Sequence, residues 1–129
     1  MIKVSFDFDG TLALPEVQEY AAYLISIGID VWITTARSRA VYKELQRSLH
    51  SDIYEVSLKL GIPDDKINFM GLDFQSKAEW LKDHGFVWHL DDDPYEHKEI
   101  IRLCATIPIN VDWLYWKASC SEYIRLLGY

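Results

Sequence analysis

The residues best able to do chemistry are acids placed where strands should end. Asp7-Phe8-Asp9-Gly10-Thr11 follows an apolar run and sets two carboxylates at i and i+2. Such a pair projects to one side of a strand, although the second falls where this strand is already ending. Gly10 lets the chain turn there with a backbone conformation that other residues resist. Asp91-Asp92-Asp93-Pro94 follows a second apolar run. Two like charges about 4 Å apart repel by roughly 4 kcal/mol at an effective dielectric of 20, so adjacent acids need compensation. Asp93 is explained as a helix cap; Asp91 and Asp92 are not. If the two strand ends lie side by side, Asp7, Asp9, Asp91 and Asp92 converge, and a hard divalent cation is the natural counter-charge. Oxygen donors with no His/Cys grouping favour Mg²⁺ over zinc.

Two further segments supply the groups an anion would need. Thr34-Thr35-Ala36-Arg37 ends another apolar run, with a hydroxyl and free backbone N–H groups just before a helix. Arg37 could reach a phosphate or carboxylate by bidentate pairing. Lys77 opens a helix, where a cation opposes the helix dipole by about 0.3–1 kcal/mol. Each feature alone has a plain structural reading: an acidic turn, β-branched strand filling, an exposed arginine, a solvated lysine. His89 shares the strand face of Asp91 and reads as a hydrogen-bonded structural histidine. His50, His84 and His97 lack partners at a recognisable ligand spacing.

The elements that must position these residues alternate in type. Strands are expected at Ile2–Phe8, Asp30–Thr34, Lys66–Met70, Val87–Leu90 and Ala105–Ile109. Helices are expected at Pro15–Ile27, Arg39–Leu49, Lys77–His84, Pro94–Leu103 and Trp113–Leu127. This alternation predicts an α/β fold: a three-layer, Rossmann-like sandwich, its mostly parallel five-stranded sheet covered by helices on both faces. Ser51–Asp65 reads as a helical turn or two, then a loop broken by Gly61 and Pro63. Caps mark the helix starts: Asp93 before Pro94, Ser76 or Asp73 before Lys77, and Asp112 before the last helix. Trp113, Trp116, Cys120, Tyr123 and Leu127 form a stripe expected to pack on the sheet, with Tyr115 off it.

The chain has 129 residues, of which 50% are hydrophobic and 26% charged. That suits one globular domain over 1–129 with a core of its own. A net charge of −7 argues against a broad surface for nucleic-acid backbone. The two cysteines, Cys104 and Cys120, cannot make a disulfide framework or a four-ligand zinc site, and reduced thiols fit a cytoplasmic protein. The start, Met1 to Phe6, is too short before Asp7 to be a signal peptide, and no apolar run approaches the roughly 20 residues of a membrane span.

In order, Asp7-x-Asp9-Gly10-Thr11, Thr35, Lys77 and Asp91-Asp92 resemble the motifs of the haloacid dehalogenase-like phosphohydrolase superfamily. The resemblance implies a Mg²⁺-dependent phosphatase. Asp7 would be the nucleophile that becomes an aspartyl-phosphate. Asp9 would be the general acid and then the base, its backbone carbonyl helping to bind Mg²⁺. Thr35 would bind phosphoryl oxygens, Lys77 would neutralise the nucleophile, and Asp91 and Asp92 would support the metal. The substrate-binding set is then Thr35, Ala36, Arg37 and Lys77. An acid at Asp9 argues against dehalogenation, because halide needs no proton to leave whereas an alkoxide does.

Neither the stretch from Thr11 to Pro15 nor that from Thr35 to Lys77 holds a cap domain, so a minimal, capless member is expected, its site closed by a phosphorylated substrate or by another subunit. Tyr115 and Tyr129 would serve a contact between copies. Two alternatives keep the fold: a catalytically idle binding protein, and a receiver-type phospho-acceptor domain. A receiver places its acidic pair first and its lysine last, whereas here Lys77 precedes an acidic pair.

Overall fold

A computed structural model of the chain describes residues 1–71 and 76–128. Its strands are β1 (Lys3–Phe6), β2 (Asp30–Thr35), β3 (Ile67–Phe69), β4 (Trp88–Asp91) and β5 (Ile107–Asn110). They form one sheet in the order β3-β2-β1-β4-β5, and every pairing is parallel. The helices are α1 (Pro15–Ser26), α2 (Lys43–Leu49), α3 (Ser51–Leu60), α4 (Lys77–Lys82), α5 (Pro94–Leu103) and α6 (Trp116–Leu126). The architecture is thus the expected three-layer α/β fold, with the sheet parallel throughout.

Strand alternation divides the residues between two faces. One face carries Val4, Phe6, Val31, Ile33, Trp88 and Leu90, all buried in the main core. Against it pack Val17, Ala21 and Leu24 of α1, Ile53 of α3, and Trp116, Cys120 and Ile124 of α6. Trp88 anchors this side: it meets Phe6 edge to face at 5.3 Å and donates its indole N–H to the Cys120 carbonyl at 3.0 Å. The opposite face has a small apolar cluster of Ala78, Leu81, Phe86 and Ile100, with Trp32 against it. The same face carries polar residues: Ser5 pairs in register with His89, and Thr34 and Asp91 lie along the same alternation.

The chain runs outward from β1 to β3 and then returns to β4 on the other side of β1. The order reverses between β1 and β4, and open α/β sheets bind ligands at the carboxyl ends of strands flanking such a switch point. Asp7 and Asp91 stand there.

Several boundaries differ from expectation. Helix α2 starts at Lys43, not Arg39. Before it, the Gln46 side chain accepts the Ala40 N–H at 2.7 Å, and Arg39 lies over the Phe69 ring at 4.9 Å. These tertiary contacts hold the segment as a loop. The stretch Ser51–Leu60 is a full helix, ended by Gly61 in the left-handed conformation (φ 79°). Helix α6 starts at Trp116, so Asp112 is not its cap; the Asp112 N–H instead donates to the Asn110 side chain at 2.8 Å. Its buried stripe is Trp116, Cys120 and Ile124 at strict i, i+4 spacing, while Trp113, Tyr123 and Leu127 are exposed. Tyr115 is exposed as expected. The expectations placed on Asp73 and on Tyr129 fall outside the described residues. Among the described residues no helix is long and apolar enough to cross a membrane.

Candidate active site

Asp7 leaves β1 with its N–H donated to the Leu90 carbonyl of β4 at 2.9 Å, which ties the two strand ends together. The chain then turns tightly. Asp9 (φ −63°, ψ 125°) and Gly10 (φ 73°, ψ 3°) have the angles of a type II turn, whose third position requires positive φ. Gly10 is needed for space as well, since a Cβ there would stand 2.3 Å from Asp92 Oδ2. The glycine therefore lets the Asp92 carboxylate close over the turn that carries Asp9.

Lys77 occupies the first turn of α4, capped by Ser76, whose hydroxyl accepts the Glu79 N–H at 3.1 Å. Read alone, it is a solvated helix-start lysine; in the fold it is 3% exposed. Its Nζ donates to Asp7 Oδ1 at 2.9 Å and to Asp91 Oδ2 at 2.8 Å. Thr11 donates its hydroxyl to the other Asp7 oxygen at 3.3 Å. Asp91 Oδ1 accepts the Asp93 N–H at 3.1 Å, while Asp93 caps α5 by accepting the Tyr95 N–H at 2.9 Å. The division within the triplet is thus the expected one: Asp93 serves the helix, while Asp91 and Asp92 face the switch point. His97 of α5 reaches the Asp91 carbonyl from Nε2 at 3.2 Å, tethering the helix to the strand end.

One carboxylate oxygen from each of Asp7, Asp91 and Asp92 lies within 4.8 Å of the others. These three charges share a single lysine, and the electrostatics register the deficit. Burial pushes Asp7 up to about 7, with Asp91 adding to the rise and Lys77 opposing it. Burial and the adjacent Asp91 also raise Asp92. Asp91 goes the other way: burial resists ionisation, but His89 and Lys77 hold it well below the usual carboxylate range. Burial works against the Lys77 charge, yet Asp7 and Asp91 outweigh it and raise its pKa.

The Asp9 side chain does not join this cluster. Arg37 takes it, Nε to Oδ2 at 2.9 Å and Nη2 to Oδ1 at 2.7 Å. The same guanidinium holds Asp52, in the first turn of α3, at 2.8 and 2.7 Å. Its Nη1 also faces His50 Nδ1 at 3.5 Å, and His50 Nε2 contacts the Ser38 carbonyl at 2.9 Å. Arg37's hydrogen bond holds both Asp9 and Asp52 below the ordinary range. An expected carboxylate ligand and an expected anion-binding arginine thus engage each other. Any anion reaching Arg37 must replace one of its carboxylates.

Thr35 is fully buried, and its hydroxyl accepts the Arg37 N–H at 3.2 Å, leaving its own proton to donate. Its carbonyl accepts the Met70 N–H at 2.9 Å. Ala36 sits where the β2 loop meets Gly71; a Cβ at Gly71 would stand 2.5 Å from the Ala36 carbonyl oxygen.

Asp52, His89, Ser5 and Glu96 lie at or beside the site with no motif to mark them. Asp52 gives no local signal, because its role depends on a helix packing beside a loop. Glu96, in the first turn of α5, is half-buried, its Oε2 has no hydrogen-bond partner among the described residues, and burial raises its pKa. Ser5 and His89 do leave a trace, as polar residues at i−2 from an acid inside otherwise apolar strands.

No family model matches the chain, and no curated protein matches it. Among solved structures, a hypothetical protein from Xanthomonas campestris superposes with a TM-score of 0.55 at 17% identity, over 93% of this chain and 69% of that one. A hypothetical protein from Pyrococcus horikoshii is 23% identical over 97% of this chain and 55% of that one, with a TM-score of 0.38. The first likeness shows a shared α/β fold.

Proposed function

We propose that the chain is a haloacid dehalogenase-like, Mg²⁺-dependent phosphatase that hydrolyses phosphomonoesters through Asp7. The observation that carries this reading is the trio of Asp7, Asp91 and Asp92 at the switch point of the sheet, the first two of them bonded to one buried lysine. The donor set suits the metal: oxygens bound octahedrally at about 2.1 Å lie about 3–4 Å apart, which small movements of this cluster reach. Asp7, Asp91 and Asp92 would hold Mg²⁺, which would offset their excess negative charge and polarise a phosphoryl oxygen.

The chain's own residues do the rest. Lys77 and Thr11 fix the two oxygens of Asp7, so the carboxylate is aimed before substrate arrives. A free Asp7 oxygen lone pair attacks phosphorus as the ester oxygen departs, and Asp9 gives that oxygen its proton. Water then attacks the aspartyl-phosphate, Asp9 takes a proton from it, and Asp7 is regenerated with release of phosphate. Lys77 balances the charge on Asp7 in both steps, and the Thr35 hydroxyl supplies a donor to phosphoryl oxygens. The cycle requires Asp9 to leave Arg37 before it carries a proton.

That same Arg37 grip supports a second reading, a catalytically idle binding protein of the same fold. Hydrolysis of an aryl phosphate by the purified protein separates the two. Turnover that needs Mg²⁺ and stops in excess chelator supports the phosphatase. Full activity in chelator removes the metal, and Mg²⁺ binding without any turnover favours the idle form. A cytoplasmic location and the closing of the uncapped site by a phosphorylated substrate or a second subunit belong to the same proposal.

A further inference from the structure

Polar groups continue into the sheet beyond Asp91. His89, fully buried in β4, places Nε2 2.8 Å from Asp91 Oδ2 and Nδ1 2.9 Å from the Ser5 hydroxyl. Ser5 in turn lies 2.8 Å from the Thr34 hydroxyl of β2. Ser5 and Thr34 are also fully buried, so the chain of contacts crosses three strands without reaching water. Burying this many polar groups is costly unless every one is bonded, and an apolar residue at any of these positions would have served the core.

We propose that His89 is a positioning residue: its Nε2 donates to Asp91 while the Ser5 hydroxyl, backed by Thr34, holds Nδ1, and the ring so held aims the Asp91 carboxylate at Lys77 and the neighbouring acids. The directions follow from the acceptor at the end. Asp91 Oδ2 can only accept, so Nε2 carries a proton. In a neutral ring Nδ1 is then the acceptor, the Ser5 hydroxyl must donate to it, and Ser5 oxygen accepts from Thr34. Ser5 and His89 are register partners in the β1–β4 pairing, so the backbone itself sets this contact. With Lys77 and His89 both on Oδ2, that oxygen is saturated, and Oδ1 is the one turned to Asp93 N–H and the open side. The other tautomer would set a lone pair against the carboxylate and let it rotate.

This inference rests on the metal-site reading for its consequence but not for its first test. Nitrogen-15 NMR of the histidines near neutral pH, with His89 assigned by loss of its signals in His89→Gln, should show a neutral ring protonated on Nε2 and bare on Nδ1. A proton on Nδ1 overturns the proposal whether or not the protein is a phosphatase. The second test is calorimetric titration with Mg²⁺. Groups behind a metal-binding carboxylate typically change affinity ten- to a hundredfold. Ser5→Ala should therefore weaken Mg²⁺ binding about tenfold, and Thr34→Val should shift it less, in the same direction. His89→Gln keeps an amide donor toward Asp91 and should bind nearly as the native protein does. Native affinity in Ser5→Ala, or a His89→Gln weaker than Ser5→Ala, refutes the positioning role. If the native protein binds no Mg²⁺, the metal reading falls, and the tautomer alone decides His89.

Discussion

Lys77 and Arg37 each hold two carboxylates at the same edge of the sheet, but they do so under opposite conditions. The Lys77 side chain is 3% exposed and its partners Asp7 and Asp91 are 7% and 1% exposed. The Arg37 side chain is 23% exposed, with Asp9 and Asp52 at 61% and 55%. Lysine offers a compact charge to a cluster that still carries excess negative charge once Asp92 is counted. Arginine's planar fork meets two acids in bidentate geometry, and the one negative charge left over is exposed to water, which screens it. Both clusters carry excess negative charge, but the Lys77 cluster carries the larger excess and holds most of it away from water. Proximity to a strand end alone therefore does not bring an acid into the buried cluster: its burial and its partners decide it.

The sharpest way to break this comparison is to neutralise one acid in each cluster and follow turnover. Asp7→Asn should reduce aryl-phosphate hydrolysis to background with the fold intact, because an amide is a poor nucleophile. Asp9→Asn should slow it by the roughly 10²–10⁴-fold scale of acid–base catalysis. Undiminished rates in Asp7→Asn would remove the covalent route.

Stability should separate the two cations next. Lys77→Met strands Asp7 and Asp91 without their counter-charge, and breaking a buried pair in this way costs about 3–5 kcal/mol. Arg37→Met opens exposed pairs worth about 0–1 kcal/mol. Denaturant melts at neutral pH should show that order, and equal losses would sink the distinction.

The pH dependence of stability sharpens it further. The Asp7 carboxyl titrates at about 7 in the fold and near 3.8 in the unfolded chain. Between those values the native state holds the extra proton, so stability falls as pH rises, by on the order of 4 kcal/mol, and levels off above about 7. Asp91 is depressed, so its contribution is present above its unfolded 3.8 and lost as pH falls below that. The two windows barely overlap. Mg²⁺ should raise the melting temperature more at pH 8 than at pH 5.5. A shift that is the same at both, or larger at pH 5.5, would contradict the charge deficit assigned to the Lys77 cluster.

Much of this arrangement was legible from residue order, and the reasons are local. Strand-ending acids, the Ser76 and Asp93 caps and Gly10 all act within a few residues, so their signals survive without tertiary knowledge. The alternation of strands and helices likewise suffices for the three-layer sheet. What was hidden depends on partners far along the chain. Lys77 alone reads as solvated because its burial comes from strands β1 and β4. Asp9 reads as a ligand because Arg37, which claims it, and Asp52, which shares that arginine, belong to other elements. The α6 stripe drifted because the helix starts at Trp116, and a shifted start exchanges Tyr123 and Leu127 for Ile124. The Arg39–Tyr42 loop has ordinary helix-compatible residues, and its departure comes from contacts with Gln46 and Phe69.

The smallest expected effect tests the exposed cluster on its own. Asp52→Asn leaves the Arg37–Asp9 pair in place and an amide oxygen still able to accept one hydrogen bond. Stability should change by no more than about 1 kcal/mol, since the pair is exposed and screened. Turnover should change little, in either direction, because Asp52 stands behind Arg37 and touches none of the buried carboxylates. High salt should mimic the variant, while screening the buried Lys77–Asp7 and Lys77–Asp91 pairs much less. If Asp52→Asn instead abolished hydrolysis, Arg37 would be placing Asp9 for the reaction. The exposed clamp would then belong to the chemistry as fully as the buried one, and charge deficit would no longer be the feature that tells them apart.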